Sequence, residues 1–487
     1  MRQAGILLHI SSLPAKYGIG TLGKEAYKFI DFLHESNQKI WQILPIGPTT
    51  YGDSPYSSTS SFAFNPYFID LELLALDGLI SKTDLPDINI SREVDYNYLF
   101  NTKFNVLHKA FLNRDIYKDE FNDFIKKEAY WLDDFALFNL LKHEHENRPW
   151  NEWYDDFRYK KESAIEWVKN EFKDKILEEK FIQFLFVKQW KNLKSYANKK
   201  GIEIMGDMPI YCSYDSADVW SCPSNFLLGD YLLPLCVAGC PPDGFSPTGQ
   251  LWGNPIYNYK KMKENNYSWW VKRIKHQLEM FDILRIDHFR GFAAYYRIPF
   301  GSIDAVNGRW EEGPGYDLFK IIKKNCPNSK IVAENLGFLT DDVFDLLKKC
   351  GYPGMNIFQF ELGDGIKNIP LKKKYKQNNI FYSGTHDNQT IMSFYLELNP
   401  NNKKLVDKLC NIGIYDRPNL KIIEFCYNTN CDYAIIPFQD FLGLTDKNGR
   451  MNTPSTVGNN WKFRTYKEDF SFDLKEYIKN ITIKYNR

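Results

Sequence analysis

Asp207, Asp287, Glu334 and Asp387 each fall at or near the end of a short apolar run, with Arg285 and His386 beside two of them. Acids in that setting suit retaining glycoside chemistry, in which two carboxyls about 5 Å apart divide the work. One attacks and must stay ionised. The other donates a proton and then withdraws one. Arg285 lies two residues before Asp287, so in a strand both side chains point to one face. A guanidinium there is expected to depress the pKa of Asp287 and hold its carboxylate in position. Glu334 follows Val332 and Ala333, where partial desolvation favours the protonated acid. Asp387 is placed to bind two ring hydroxyls and favour a distorted sugar. His386 is placed to donate a hydrogen bond to a hydroxyl near the cleaved bond. A lone Asp at a strand end commonly caps a helix or serves a loop. Four acids converging with an Arg and a His argue for a site.

The elements that must position them are eight apolar runs. They are Gly5–Ile10, Ile40–Ile46, Ile202–Ile210, Phe281–Asp287, Lys330–Leu336, Met355–Glu361, Ile380–His386 and Asp432–Asp440. Most are nearly continuous in hydrophobicity, which suits parallel strands covered on both faces. Helical patterns fall between them. Leu22–Ser36 carries an apolar stripe at Ala26, Phe29, Ile30 and Leu33, and Lys180–Lys200 stops at Gly201, a C′ position. Tyr267–Met280 precedes the fourth run, and Thr340 opens TDDVFDLLKKCG, with an acidic first turn and a basic last turn. Alternating strand and helix, eight times over, predicts an α/β fold, a (β/α)8 TIM barrel. A doubly wound open sheet is the alternative. Chemistry in such a barrel is built at the C-terminal strand ends, where these acids lie.

Two stretches interrupt the alternation. Residues 70–178 are charged, aromatic and helical in pattern, and predict a large helical subdomain inserted between strands two and three. Residues 211–259, rich in Pro, Gly, Cys and aromatics, predict a long structureless lid or binding loop at the C-terminal face. The barrel then comprises 1–69 and 179–487. The 487 residues carry a net charge of +1, which gives no basic face for nucleic acid. The aromatic share of 16% fits either a large core or sugar stacking. Nine cysteines, an odd number without CxxC pairs or zinc-finger spacing, read as reduced thiols and leave no metal cluster. No apolar run approaches a membrane span or a signal h-region, so a soluble cytoplasmic protein without membrane partners is expected.

Longer motifs narrow the chemistry. GILLHISSLPAKYGIGTLG stands at 5–23, WQILPIGPTTYGDSPYSSTSSFAFNPYFIDL at 41–71 and AGCPPDGFSPTGQLWGNPIYNY at 238–259. FDILRIDHFRGF follows at 281–292, VAENLG at 332–337, GTHDNQT at 384–390, IPFQDFLGL at 436–444 and TPSTVGNNWKFR at 453–464. Together they resemble the α-amylase-type clan and, within it, the amylomaltases, also called 4-α-glucanotransferases or disproportionating enzymes. The resemblance implies a nucleophile at Asp287, an acid/base at Glu334 and a transition-state stabiliser at Asp387. It further implies sugar contacts from Asp207, Arg285, His386, Tyr56, Ser54, Gln250 and Trp252, and a second glucan groove that includes Tyr51. Pro241–Trp252 resembles the family's flexible lid, with Gly244 where many members have an aromatic residue, and Gln389 stands where an acid is common. Neither cofactor nor metal is implied. The implied substrates are α-1,4-glucans and maltooligosaccharides, with glucose as an acceptor.

Transfer and hydrolysis share the first half-reaction. They differ in whether a sugar 4-hydroxyl or water attacks the glucosyl-enzyme. A lid carrying Phe245 and Trp252 is expected to stack the acceptor and raise its effective concentration. An α-amylase-like hydrolase is the alternative within the same chemistry, and a catalytically dead glucan-binding protein the alternative outside it.

Overall fold

The computed structural model describes all residues except 1, 51, 243–245, 338 and 363–374. Twelve strands among the described residues are numbered in chain order. They are β1 (Gln3–Leu7), β2 (Ile40–Gln42), β3 (Glu203–Met208), β4 (Cys236–Cys240), β5 (Gln250–Pro255) and β6 (Ile283–Ile286), then β7 (Ala294–Pro299), β8 (Arg309–Glu312), β9 (Ile331–Ala333), β10 (Gly354–Ile357), β11 (Asn379–Tyr382) and β12 (Tyr433–Pro437). Eight pair in parallel in the order β10-β11-β12-β1-β2-β3-β6-β9. The two edges meet where the Ala333 N–H donates to the Pro353 carbonyl at 2.9 Å. The sheet is therefore a (β/α)8 barrel, and each barrel strand overlaps one of the eight apolar runs, with β1, β10 and β11 starting one or two residues before theirs. Their side chains are almost wholly buried, as two-sided coverage requires.

The helices cover the outside. Lys24–Glu35 buries Ala26, Phe29, Ile30, Phe32 and Leu33, a stripe at helical spacing. Phe29 meets the edge of Trp41 on β2 at 5.2 Å. Lys173–Lys199 ends at Lys200, and Gly201 takes the left-handed φ of 72° that stops it.

Between β2 and β3 the chain is mainly helical, with long helices at Tyr96–Leu112, Lys118–Glu144 and Lys173–Lys199. The last two pack through Phe121, Phe124, Phe181 and Phe184, with ring centroids 5.1–5.7 Å apart. Two buried glutamines on Lys173–Lys199 hold the extended chain that follows β2. Gln183 accepts from the Phe64 N–H at 2.8 Å and donates to its carbonyl at 3.0 Å. Gln189 does the same for Asp70, at 2.7 and 3.0 Å. A buried chain with no strand neighbour thus keeps its backbone groups paired.

The expectation of a structureless 211–259 is corrected. That stretch contains the helix Ala217–Ser221 and strands β4 and β5. These join β7 and β8 in an antiparallel sheet of order β5-β4-β7-β8. Val237, Tyr296, Ile298 and Ala305 give it a small core of its own.

Candidate active site

Position begins with register. Asp207 on β3 lies directly opposite Arg285 on β6, so the two side chains share a face. The ladder continues one residue past the strands: the Asp287 N–H donates to the Met208 carbonyl, and the Glu334 N–H to the Ile286 carbonyl, both at 3.0 Å. The acids are therefore fixed by backbone pairing at adjacent strand ends. His386 and Asp387 sit in the loop after β11. Asn335, next to Glu334, accepts from the Met355 N–H at 2.7 Å, and Gly354 leaves it room, since a Cβ there would meet Asn335 Oδ1 at 2.7 Å.

One guanidinium ties three acids together. Arg285 Nη1 donates to both oxygens of Asp207 at 2.6 Å and to Asp287 Oδ1 at 3.0 Å, and Nη2 lies 3.7 Å from Glu334 Oε2. The Arg285 side chain is only 4% exposed. The Tyr56 hydroxyl donates to Asp207 Oδ2 at 2.8 Å, lies 3.3 Å from His386 Nδ1, and its ring stacks on His386 at 4.8 Å. His386 Nε2 lies 3.3 Å from Asp387 Oδ1. Asn452 Nδ2 donates to that same oxygen at 2.6 Å, and Arg450 Nη2 to the Asp387 carbonyl at 3.1 Å.

Charge follows from this packing. Burial raises the pKa of Asp287 to about 7; Arg285 opposes the rise and the neighbouring Glu334 adds to it. Arg285 lowers the pKa as its adjacency predicts, but burial outweighs it, so the expected net depression is corrected. Burial raises Asp207 as well, again against Arg285. Asp387 goes the other way. Burial would raise it, but His386 and the Asn452 hydrogen bond outweigh burial and hold it at about 2. With 46% of its side chain exposed, water screens part of that effect. His386 is the counterpart: burial lowers its pKa, and Asp387 outweighs burial and raises it.

A cleft of about 930 Å³, its open mouth included, is lined by Ser54, Tyr56, Gln250, Trp252, Asp287, His386 and Asp387 among others. The Ser54 hydroxyl accepts from the Tyr56 N–H at 3.3 Å, and Trp252 Nε1 donates to Gln250 Oε1 at 3.0 Å. Strand β5 carries both Gln250 and Trp252 to the rim. Tyr51, Gly244 and Phe245 lie outside the described residues. Among the cleft-lining residues that sequence reasoning missed are Asn452, Trp461 and His288. Trp461, at φ 64°, sets its ring 5.8 Å from both Tyr56 and His386. It lies within the 453–464 motif, whose place after the eighth strand was the available signal. Among the described residues, no group of three or more His, Cys, Asp or Glu could hold a metal ion. Three carboxyls on one guanidinium, with Asp387 and His386 facing the cleft beside them, can attack, protonate and stabilise charge at a sugar carbon.

Residues 8–468 match a family described as 4-alpha-glucanotransferase. The chain is 45% identical to a 4-alpha-glucanotransferase of Clostridium butyricum over 486 residues, covering 99% of this chain and 100% of that one. It is 42% identical to that of Aquifex aeolicus over 490 residues, covering both chains fully. Among solved structures, an amylomaltase from Streptococcus agalactiae in complex with acarbose superposes with a TM-score of 0.97 at 41% identity, covering 100% of each chain.

Proposed function

The chain belongs to the 4-alpha-glucanotransferase family, and for the transfer of α-1,4-glucan segments that this entails we propose Asp287 as nucleophile, Glu334 as acid/base and Asp387 as transition-state stabiliser. The observation that carries the assignment is the single Arg285 guanidinium contacting Asp287 at 3.0 Å and Glu334 at 3.7 Å. Contacts to one group keep two carboxyls within the short separation of a retaining mechanism. An Asp287 oxygen attacks the anomeric carbon while Glu334 gives its proton to the departing glycosidic oxygen. The product is a covalent glucosyl-enzyme. A sugar 4-hydroxyl then attacks that carbon, Glu334 takes the hydroxyl proton, and the Asp287 carboxylate leaves. Both acids return to their starting states.

The cycle needs one proton on the Asp287–Glu334 pair. Burial, with Glu334 beside it, raises the pKa of Asp287 to about 7, so the nucleophile gains its attacking charge as pH rises toward that value. Arg285 lies nearer Asp287 than Glu334, which favours the negative charge on the nucleophile. Asp387, nearly half exposed and held ionised, faces the cleft as a carboxylate able to accept two ring hydroxyls. Asp207, Arg285, His386, Tyr56, Ser54, Gln250 and Trp252 bind the sugars on this reading, and Tyr51 belongs to a second groove. Residues 70–178 act as an inserted subdomain, and the lid lies within 211–259, which carries Trp252 to the cleft. Glucose serves as an acceptor. The buried thiols of Cys212, Cys236, Cys350, Cys410, Cys426 and Cys431 support a reducing cytoplasmic location.

Incubation with maltotriose tests the whole reading. Free glucose together with a ladder of longer oligosaccharides is expected. New reducing ends without longer products would replace transfer by hydrolysis.

A further inference from the structure

Residue 288 joins three things that the mechanism treats separately. It follows the nucleophile, its backbone meets the acid/base, and its ring meets Trp252 at the cleft rim. The His288 N–H donates to Glu334 Oε2 at 2.5 Å. That contact exists because residue 288 adopts a left-handed backbone, φ 48° and ψ 47°, which turns the chain sharply after β6. A residue bearing a Cβ adopts that conformation at a cost, and persists in it only where the surroundings hold it. Here the surroundings include Trp252, whose ring meets the His288 ring edge to face, 4.8 Å between centroids at 88°. Trp252 stands on β5, within the 241–252 segment read as the lid. The imidazole stays neutral, since burial lowers its pKa to about 3, so its contact with Trp252 is one of shape rather than charge.

We infer that His288 is a positioning residue: its left-handed backbone orients the Glu334 carboxyl, and the packing of its ring on Trp252 helps hold that backbone in place. This rests on Glu334 being the acid/base. The N–H occupies Oε2, which leaves Oε1 to carry the proton toward the glycosidic oxygen. In the second half-reaction the same N–H stabilises the carboxylate that must accept the acceptor's proton.

Two donors separate this role from a general loss of structure. Maltotriose needs the proton donor, because its leaving oxygen departs as a hydroxyl. α-Maltotriosyl fluoride does not: the Asp287 oxygen bonds to the anomeric carbon, the C–F bond breaks, and fluoride leaves unprotonated. In His288→Ala the Cβ disfavours the left-handed backbone and the ring is gone. The ratio of kcat/KM for maltotriose to that for the fluoride is expected to fall about tenfold. His288→Gly also lacks the ring but adopts φ near 50° freely, so its ratio is expected to stay within about twofold of wild type. An equal fall on both donors in His288→Ala, or a tenfold fall of the ratio in His288→Gly, would overturn the inference. Glu334→Gln serves as the control for the reading beneath it. It should lose maltotriose and keep the fluoride. If it loses both alike, the acid/base assignment fails and the inference with it. If it behaves as expected while His288→Ala leaves the ratio unchanged, the inference fails alone.

Discussion

Replacing Asp287 with Asn removes one charge at nearly constant shape, and the structure predicts opposite effects on activity and stability. Turnover of maltotriose should fall at least about 10⁴-fold, since an amide cannot form the glucosyl-enzyme. Stability should rise. The folded protein raises this carboxyl from 3.8 to about 7, mainly by burial. Three pH units at 1.36 kcal/mol each give about 4 kcal/mol as the cost of ionising Asp287 in the fold. A quarter of the side chain is exposed, so we halve this to about 2 kcal/mol for solvent screening. The sign follows from proton binding. A raised pKa means the folded state holds the proton more tightly, so the stability it contributes is complete below about pH 4 and is lost as pH rises through 7. Asn carries no such loss. The variant should therefore exceed wild type by about 1 kcal/mol at pH 5 and about 2 kcal/mol at pH 8. At roughly 1 kcal/mol per degree for a chain of this size, its melting temperature should rise by about 1 °C and 2 °C. Calorimetry at both pH values reads this directly. A variant less stable than wild type at pH 8, or a gain no larger there than at pH 5, would refute the charge account of this site.

Asp287 attacks as the carboxylate and burial raises its pKa to about 7, so kcat/KM for maltotriose should climb as pH rises from 5 to about 7. A profile flat over that range contradicts it. Asn452→Ala removes a 2.6 Å hydrogen bond to the Asp387 carboxylate and should cost about 10- to 100-fold in kcat/KM, with the melting temperature nearly unchanged. Trp252→Ala strips the aromatic face at the cleft rim. The share of glucosyl-enzyme lost to water, measured as net reducing ends per transfer product, should rise about 3- to 10-fold. Gln183→Ala leaves the buried Phe64 N–H and carbonyl unpaired and should lower stability by about 2–4 kcal/mol in urea unfolding, with kcat/KM of the folded fraction unchanged.

The sequence alone determined the barrel and its acids. Continuous apolar runs separated by helical stripes are local patterns, and all eight runs overlap a barrel strand. Acids at or near the run ends gather on one side because parallel strands present their C-terminal ends there. Lys24–Glu35 and Lys173–Lys199 were legible for the same reason, since stripe and cap lie within a few residues of each other. Tertiary structure alone decided the rest. The β5-β4-β7-β8 sheet pairs segments up to about 60 residues apart through strands of four to six residues, too short for alternation to betray them. Asn452 and Trp461 act on Asp387 and His386 from the far side of the chain closure, where no spacing rule reaches. Arg285 lowers the pKa of Asp287 as its adjacency suggested, but burial outweighs it, and burial was not visible in the sequence. Burial is a sum over the whole fold. Residue type and spacing could name the groups at this site, but only their assembly set how much water each would lose and which neighbour would hold its charge.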